Sequence, residues 1–206
     1  ARLADRCRQR GSPDRPDRCG ANARHDDRRG EWRFDPEQPL PRCHADRICG
    51  FDLADAENTT DPQTFVPLVE EARSAGLGIT VHSGENTSAD HLKRAISLYG
   101  PDRIGHGIKA WGDEEAMGAL RERGILLEIC PTSNWLTSSV PSVAAHPIRR
   151  LRDAGVRICI NSDDPPLMAI DLVHEYQVCA RHHGFDRAAF QATNRAALES
   201  SFVDPD

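Results

Sequence analysis

The feature that most constrains the fold of this chain is a repeated alternation between short apolar runs and helical patterns. Five apolar runs are present, at residues 48–54, 78–82, 103–106, 124–130 and 156–161. Helical patterns alternate with them, at residues 62–75, 88–99, 113–123, 144–154 and 167–183. Parallel strands that are buried on both faces have continuous apolar sequences, and the helices between them form right-handed crossovers. The alternation therefore predicts an α/β fold with a parallel sheet.

Titratable side chains stand at the ends of these predicted strands. His82 and Glu85 follow the second run, and His106 ends the third run between two glycines. Asp163 and Asp164 follow the fifth run. The carboxyl ends of parallel strands meet at one edge of a sheet, where reactive groups gather in α/β folds. Imidazole and carboxylate groups bind zinc, and a bound cation relieves the repulsion between adjacent carboxylates. We predict metal-binding or catalytic roles for the two histidines and Glu85. Of the two adjacent aspartates, we expect one to bind the metal and the other to face the substrate.

Structural alternatives exist for several of these residues. Asp163 and Asp164 could cap the helix predicted to begin at residue 167. His82 could be a hydrogen-bonded core residue. Ser133 and Asn134 are either loop hydrogen-bonding residues or substrate contacts, and Trp135 either covers a substrate or packs within its loop. A further group of histidines on or near predicted helices is expected at the surface or at helix ends. These are His91, His146, His174, His182 and His183.

Four motifs resemble, in this order, those of the adenosine deaminase family of metal-dependent hydrolases. They are VHSGE at 81–85, RIGHG at 103–107, CPTSN at 130–134 and NSDDP at 161–165. The sequence GFDLA at 50–54 resembles the strand that precedes them in the family. The resemblance spans about residues 48–202 and implies a TIM (β/α)8 barrel with one zinc ion at the carboxyl end. This chain would supply about strands four to eight with their helices, which makes an incomplete barrel.

The resemblance also implies roles for individual residues. His82 and Asp163 would be zinc ligands. Glu85 would donate a proton to N1 of a purine ring, and His106 would orient and deprotonate the attacking water. Asp164 would help to aim that water and would bind N7 of the purine. The implied reaction is zinc-dependent hydrolytic deamination of adenosine, or of a related 6-aminopurine nucleoside, to inosine and ammonia.

The chain departs from the family pattern in two places. The family supplies two further zinc ligands from a His-x-His sequence, which this chain does not contain. Asp55 stands where the family has a glycine whose backbone meets the purine, so a carboxylate at this substrate-binding position would crowd or repel the substrate. We therefore expect a truncated or frame-disrupted family member. The adenine-specific branch tends to carry Asp where Gly105 stands, which favours a nucleoside over free adenine.

Residues 1–47 differ in composition from the rest of the chain. Residues 1–49 contain 12 Arg, no Lys and nine acidic residues, and Leu3, Leu40 and Ile48 are their only Val, Ile or Leu residues. Such a segment buries too little apolar surface to offset the entropy lost on ordering. We predict an irregular or disordered segment over 1–47 and an adenosine-deaminase-like barrel portion over 48–206. An out-of-phase reading frame would also explain this composition.

Other functions are compatible with parts of the sequence. The chain could be a catalytically incomplete fragment that is unstable or that pairs with another chain, or an aminodeoxyfutalosine deaminase. A generic sugar or phosphate enzyme is disfavoured because the sequence contains no glycine-rich phosphate-binding loop.

Composition restricts the expected partners and location. The net charge of −6 argues against nucleic acid as a partner, and no apolar run is long enough for a membrane helix. Seven cysteines without a CxxC pair favour reduced thiols and a cytoplasmic location. The expected partner is a small purine nucleoside, and the oligomeric state is left open.

Overall fold

The computed structural model describes the backbone of residues 23–26 and 31–34, and residues 48–54 and 56–203 in full. Strands Ala23–Asp26 (β1) and Glu31–Phe34 (β2) pair antiparallel, with the first residue of β1 opposite the last residue of β2. Both strands lie within the segment predicted to be irregular. The rest of that prediction falls outside the described residues.

The main sheet has five parallel strands. They are Gly50–Leu53 (β3), Gly78–Ser83 (β4), Arg103–His106 (β5), Leu126–Ile129 (β6) and Arg157–Ile160 (β7). Each strand pairs with the next one along the chain, so the spatial order is the sequence order. A doubly wound sheet reverses its strand order, whereas a barrel wall does not. The predicted parallel α/β sheet is confirmed, and its order is that of a barrel wall.

Helices connect the strands and cover the sheet. They are Val66–Ser74 (α1), Ala89–Tyr99 (α2), Glu114–Arg123 (α3), Pro131–Leu136 (α4), Ile148–Asp153 (α5), Pro165–Met168 (α6), Leu172–His183 (α7) and Arg187–Glu199 (α8). Short 3₁₀ helices occupy Pro62–Phe65, Ile108–Ala110 and Val143–Ala145. Among the described residues, no helix has both the length and the apolar character that crossing a bilayer requires.

Helix α8 was missed by the sequence analysis, which took the helix containing His182 and His183 as the last one. The backbone N–H of Ala189 donates to the N-cap residue Asp186 at 2.8 Å, and this capping residue was the available signal. The helix fully buries only Thr193, and Ala189 and Phe190 pack against the core from partly buried positions. This helix packs against β7, and such tertiary packing stabilises a helix in a protein.

The core lies between the sheet and its helices. Ile104 and Leu127 from the strands are fully buried against Leu92, Leu120 and Leu151 from the helices. Burial of a leucine or isoleucine side chain stabilises a fold by about 1.5–3 kcal/mol. This packing holds the strand ends, and therefore the side chains that they carry, in fixed relative positions.

Candidate active site

The carboxyl ends of β4 and β5 bring two predicted site histidines together. Strand register places Ser83 opposite His106 and His82 opposite Gly105. The imidazole rings of His82 and His106 lie edge to face, with centroids 5.4 Å apart. A Cβ atom at Gly105 would lie only 3.1 Å from three atoms of the His82 ring. Glycine at this position therefore leaves the space that the His82 ring occupies.

The loop after β7 adds a carboxylate to this pair. His82, His106 and Asp163 each offer one ligand atom, and the three atoms lie within 4.8 Å of one another. Two imidazoles and a carboxylate are a donor set that suits zinc. The Nδ1 atom of His82 lies 3.5 Å from Oδ1 of Asp52, and this carboxylate raises the pKa of His82. Metal-binding histidines commonly direct their second ring nitrogen to such a carboxylate, so the cluster fits a zinc ion.

His106 occupies a buried and conformationally unusual position. Its Nε2 atom lies 3.8 Å from Oε2 of Glu85 and 3.9 Å from Oδ2 of Asp163. Burial lowers the pKa of His106, although both carboxylates act in the opposite direction. His106 and Asp163 have left-handed backbone conformations, with φ of 64° and 61°. Non-glycine residues rarely adopt this conformation, and such strain is concentrated at functional sites.

The carboxylate of Glu85 is held by three side chains. Its Oε1 atom accepts hydrogen bonds from Nδ2 of Asn134 at 3.0 Å and Oγ1 of Thr137 at 2.7 Å. Its Oε2 atom accepts a hydrogen bond from Nδ2 of Asn86 at 3.0 Å. Side chains from the loop after β4 and from the C-terminal part of α4 therefore fix the orientation of this carboxylate.

A second glutamate, Glu57, holds the loop that carries Glu85. Its two carboxylate oxygens accept hydrogen bonds from the backbone N–H groups of Gly84, at 3.0 Å, and Glu85, at 2.8 Å. The hydroxyl of Thr87 also donates to it. The sequence analysis did not identify Glu57, because it belongs to none of the strand-end motifs and meets this loop only in the folded chain.

Helix α4, which directly follows β6, contributes two buried hydrogen-bonding residues. Oγ of Ser133 donates to Oδ2 of Asp163 at 2.5 Å, and Asn134 contacts Glu85 and His106. Both Ser133 and Asn134 are fully buried. Of the two roles considered for them, these contacts show hydrogen bonding within the loop and the site.

Two histidines predicted at the surface or at helix ends are buried. His146 is 3% exposed and its Nε2 atom lies 3.1 Å from Oδ1 of Asn134. His183 is 4% exposed and its Nε2 atom lies 2.8 Å from the carbonyl oxygen of Val143. The surface alternative was wrong for both, because the segment before α5 folds back over α4. The helix-end alternative was correct, since His183 ends α7 and the backbone N–H of Ile148 at the start of α5 donates to Nδ1 of His146. Asn134 and His146 are twelve positions apart in the chain, and no local pattern joins them.

Three other predicted residues are either exposed or outside the described residues. Asp164 is exposed at the start of α6, and its side chain caps no backbone N–H of that helix. Trp135 is 47% exposed. Asp55 lies outside the described residues. The substrate-binding roles of Asp164 and Asp55 stay predictions.

A cavity of about 250 Å³ opens beside the cluster. His82, His106 and Asp163 line it together with Glu128 and Cys130. Burial raises the pKa of both the Glu128 carboxyl and the Cys130 thiol. The volume is just below the range of about 300–1,000 Å³ that is usual for small-molecule sites. The cavity therefore offers a small molecule direct access to the two histidines.

Fold and site together define an α/β protein of the barrel type with a zinc-compatible cluster at the carboxyl end of its strands. The adenosine deaminase family model matches residues 27–206. The chain belongs to the adenosine deaminase family. The match begins before residue 48, where the resemblance identified in the sequence began.

A curated relative is similar in sequence over most of the chain. The adenine deaminase of Agrobacterium fabrum is 39% identical over 181 residues, which cover 85% of this chain and 56% of that protein. The chain therefore spans about half the length of the curated relatives it matches.

Solved structures confirm the incomplete barrel. Adenine deaminase from Arthrobacter aurescens matches with a TM-score of 0.73 and 28% identity, over 77% of this chain and 48% of that one. An amidohydrolase from Burkholderia ambifaria with bound Zn matches with a TM-score of 0.68 and 26% identity, over 75% and 44% of the two chains. Arabidopsis ADAL complexed with IMP matches with a TM-score of 0.69 and 28% identity, over 77% and 46%.

Proposed function

We propose that this chain carries the proton-transfer residues and part of the zinc site of an enzyme that hydrolytically removes the 6-amino group of a purine. The observation that carries the proposal is the convergence of Glu85, His106 and Asp163, with His106 Nε2 within 3.9 Å of both carboxylates. A buried imidazole can orient a water molecule, and the two carboxylates beside it can accept the proton of that water. Membership of the adenosine deaminase family supports this reaction class.

His82 and Asp163 are the residues that would hold zinc in this proposal. Their atoms meet the requirement for proximity, and Asp52 supports His82 from its far side. When bound, zinc supplies Lewis acidity that lowers the pKa of water to about 7. The zinc-containing amidohydrolase among the matched structures supports the choice of metal.

Glu85 would protonate the purine ring. As the oxygen of water adds to C6, the ring nitrogen N1 takes up a proton, which a carboxylic acid beside the ring can supply. The C6–N bond then breaks and ammonia leaves, so that the 6-amino group is replaced by a 6-oxo group. Asn134 and Thr137 hold the carboxylate in one orientation, which favours transfer to a single ring atom.

Two substrates within this class are favoured by different observations. Gly105 favours adenosine or another nucleoside, because the adenine-specific branch tends to carry Asp at its position. The curated relatives are named adenine deaminases, which favours free adenine. A head-to-head assay of adenine and adenosine distinguishes them, because either deamination changes the ultraviolet absorbance of the purine.

A second candidate function is that of an incomplete fragment. The observation that favours it is the absence of a His-x-His sequence, with its two further zinc ligands, from the 206 residues. We would measure the zinc content of the purified chain beside the two assays. Turnover that needs zinc and disappears in Glu85→Gln supports the deaminase, whereas Glu122→Gln, at an exposed position on α3, serves as the matched control. Zinc binding without turnover supports the fragment, and absence of both overturns the proposed function for this chain.

A further inference from the structure

A continuous line of hydrogen bonds runs from the backbone of α5 to the candidate site. The backbone N–H of Ile148 donates to Nδ1 of His146 at 3.0 Å. Nε2 of His146 lies 3.1 Å from Oδ1 of Asn134. Nδ2 of Asn134 lies 3.0 Å from Nδ1 of His106 and 3.0 Å from Oε1 of Glu85. The proposed function gives roles to His106 and Glu85 but none to His146.

Two groups determine which atom donates and which accepts in each of these hydrogen bonds: the backbone N–H of Ile148 at one end and the carboxyl group of Glu85 at the other. A backbone N–H can only donate, so Nδ1 of His146 is an acceptor and the ring proton lies on Nε2. That proton is donated to Oδ1 of Asn134, which turns the amide nitrogen of Asn134 toward Glu85 and His106. Oε1 of Glu85 accepts from Nδ2 of Asn134 at 3.0 Å, and this contact requires the same amide orientation.

The amide of Asn134 then determines the tautomer of His106. Its two N–H groups are both used, one for Glu85 and one for Nδ1 of His106. A neutral imidazole carries one proton, so an accepting Nδ1 places that proton on Nε2. We propose that His146 is a positioning residue that acts through Asn134 to hold His106 as the Nε2–H tautomer.

Burial gives this line of hydrogen bonds a single arrangement. His146 is 3% exposed and Asn134 is fully buried, so water has little access to replace either partner. The neighbouring ring of His183 stands edge-on to His146 at 6.2 Å. Burial, with the charges of His183 and His106, lowers the pKa of His146 to about 3, and the ring therefore stays neutral near pH 7.

The tautomer has a chemical consequence at the site. Nε2 of His106 faces the carboxylates of Glu85 and Asp163. A protonated Nε2 has no free lone pair, so His106 would not be a metal ligand although it belongs to the cluster. It would orient the attacking oxygen by donating a hydrogen bond, and the proton of the water would pass to one of these carboxylates instead of to His106. This consequence for catalysis rests on the proposed function, whereas the tautomer itself does not.

Imidazole nitrogen resonances test the tautomer without any assay of activity. Protonated and unprotonated ring nitrogens have well-separated ¹⁵N chemical shifts, and long-range ¹H–¹⁵N correlation spectra resolve them for each histidine. The full chain is labelled with ¹⁵N, and the His106 signals are assigned as those that His106→Gln removes. We expect an unprotonated Nδ1 and a protonated Nε2 for His106 at mildly alkaline pH. A protonated Nδ1 in the unmodified chain would overturn the proposal.

Variants of the two positioning residues test the direction of the effect. Asn134→Asp replaces the donor by an acceptor, so Nδ1 of His106 should gain a proton. His146→Phe removes the group that orients the amide, so the Nδ1 resonance should shift toward the protonated value. His146→Gln retains an N–H donor and should restore the spectrum of the unmodified chain. An unchanged His106 spectrum in both Asn134→Asp and His146→Phe would show that the line has no effect on the tautomer.

A matched control and a kinetic measurement separate this inference from the proposed function. His182 is exposed on α7, and His182→Gln should leave the His106 resonances unchanged. If the chain turns over a purine, His146→Phe should lower kcat by about 10–100-fold with a smaller change in KM. If it does not, the spectra still decide the tautomer, so failure of one proposal is distinguishable from failure of the other.

Discussion

The five strands of the main sheet have two ends with different chemistry. At the carboxyl end, the polar side chains of His82, His106 and Asp163 gather around a cavity. At the amino end, Phe202 lies over Gly78, where a Cβ atom would come within 2.2 Å of its ring. The carboxyl end therefore brings polar side chains close together, whereas at the amino end an aromatic ring covers the strand backbone at Gly78. In barrel enzymes these ends serve reaction and stability, respectively.

The difference also extends to the backbone. Strain is accepted at the carboxyl end, where His106 and Asp163 have positive φ. At the amino end, Arg103 stacks on Phe202 with 3.9 Å between its guanidinium carbon and the ring centroid, and the ring also lies over Gly50. A stable amino end allows strained groups to persist at the other end of the same strands. Substitutions at the two ends should therefore change different properties.

The largest expected effect is on turnover at the carboxyl end. If the proposed function is correct, Glu85→Gln should lower kcat/KM by about 10²–10⁴-fold, because amide nitrogen cannot replace the carboxyl proton donor. The free energy of unfolding, measured in urea, should change little by comparison. Equal losses of activity in Glu85→Gln and in the exposed control Glu122→Gln would contradict a role for this carboxyl group.

Zinc should stabilise the carboxyl end specifically. At zinc concentrations about 100-fold above Kd, the free energy of unfolding should rise by about 2.7 kcal/mol. His82→Ala and Asp163→Asn should abolish this increase, because each removes one atom of the cluster. Thermal unfolding with and without zinc measures the effect, and the exposed His182→Ala variant is the control. Phe202→Ala should retain the zinc response, and its loss there would show that the two ends are not independent.

A double-mutant cycle tests the amino end. Gly78→Ala alone should destabilise the chain by about 1–3 kcal/mol, because the new methyl group would displace the ring of Phe202. In a Phe202→Ala background the same substitution should cost much less, since the obstructing ring is gone. Urea unfolding of the four proteins gives the interaction energy. Additive costs would show that Phe202 does not cover Gly78 in solution.

The last prediction concerns the pH dependence of stability. The pKa of His146 is about 3 in the folded chain and about 6.5 in an unfolded chain, so between these values the unfolded state binds more protons. Stability should therefore be complete above about pH 6.5 and should fall as pH is lowered, by up to about 1.4 kcal/mol per pH unit from this residue. His146→Gln should make the slope shallower in urea unfolding across this range. An identical slope would mean that His146 is not buried in its neutral form.

Much of the fold was predictable because its signals are local. The apolar runs identified all five strands of the main sheet, and helices α2 and α3 each begin one residue after their predicted starts at 88 and 113. Helix α8 was missed although its N-cap residue, Asp186, was a signal in the sequence. His82, Glu85, His106 and Asp163 were predicted to meet because each follows a strand, and parallel strands end at the same edge.

The parts of the site that were missed depend on contacts between distant segments. Glu57 meets the loop of Glu85 across 28 positions of sequence, and it lies in none of the motifs. His146 was predicted at a surface or helix end because its own neighbours in the sequence give no sign of burial. Asp164 was grouped with Asp163 by adjacency, yet the left-handed turn at Asp163 leaves the next side chain exposed.

The sequence by itself determined the strand–helix alternation, the family motifs and the edge of the sheet at which the reactive groups stand. These depend on residue order, because hydrophobic periodicity and strand direction are encoded locally. Only the tertiary structure decided which side chains hold the reactive groups in place. Hydrogen bonds such as those from Ile148 through His146 and Asn134 to His106 form only after separate loops are packed together. Burial then excludes water and leaves each donor with one acceptor, which no local pattern in the chain specifies.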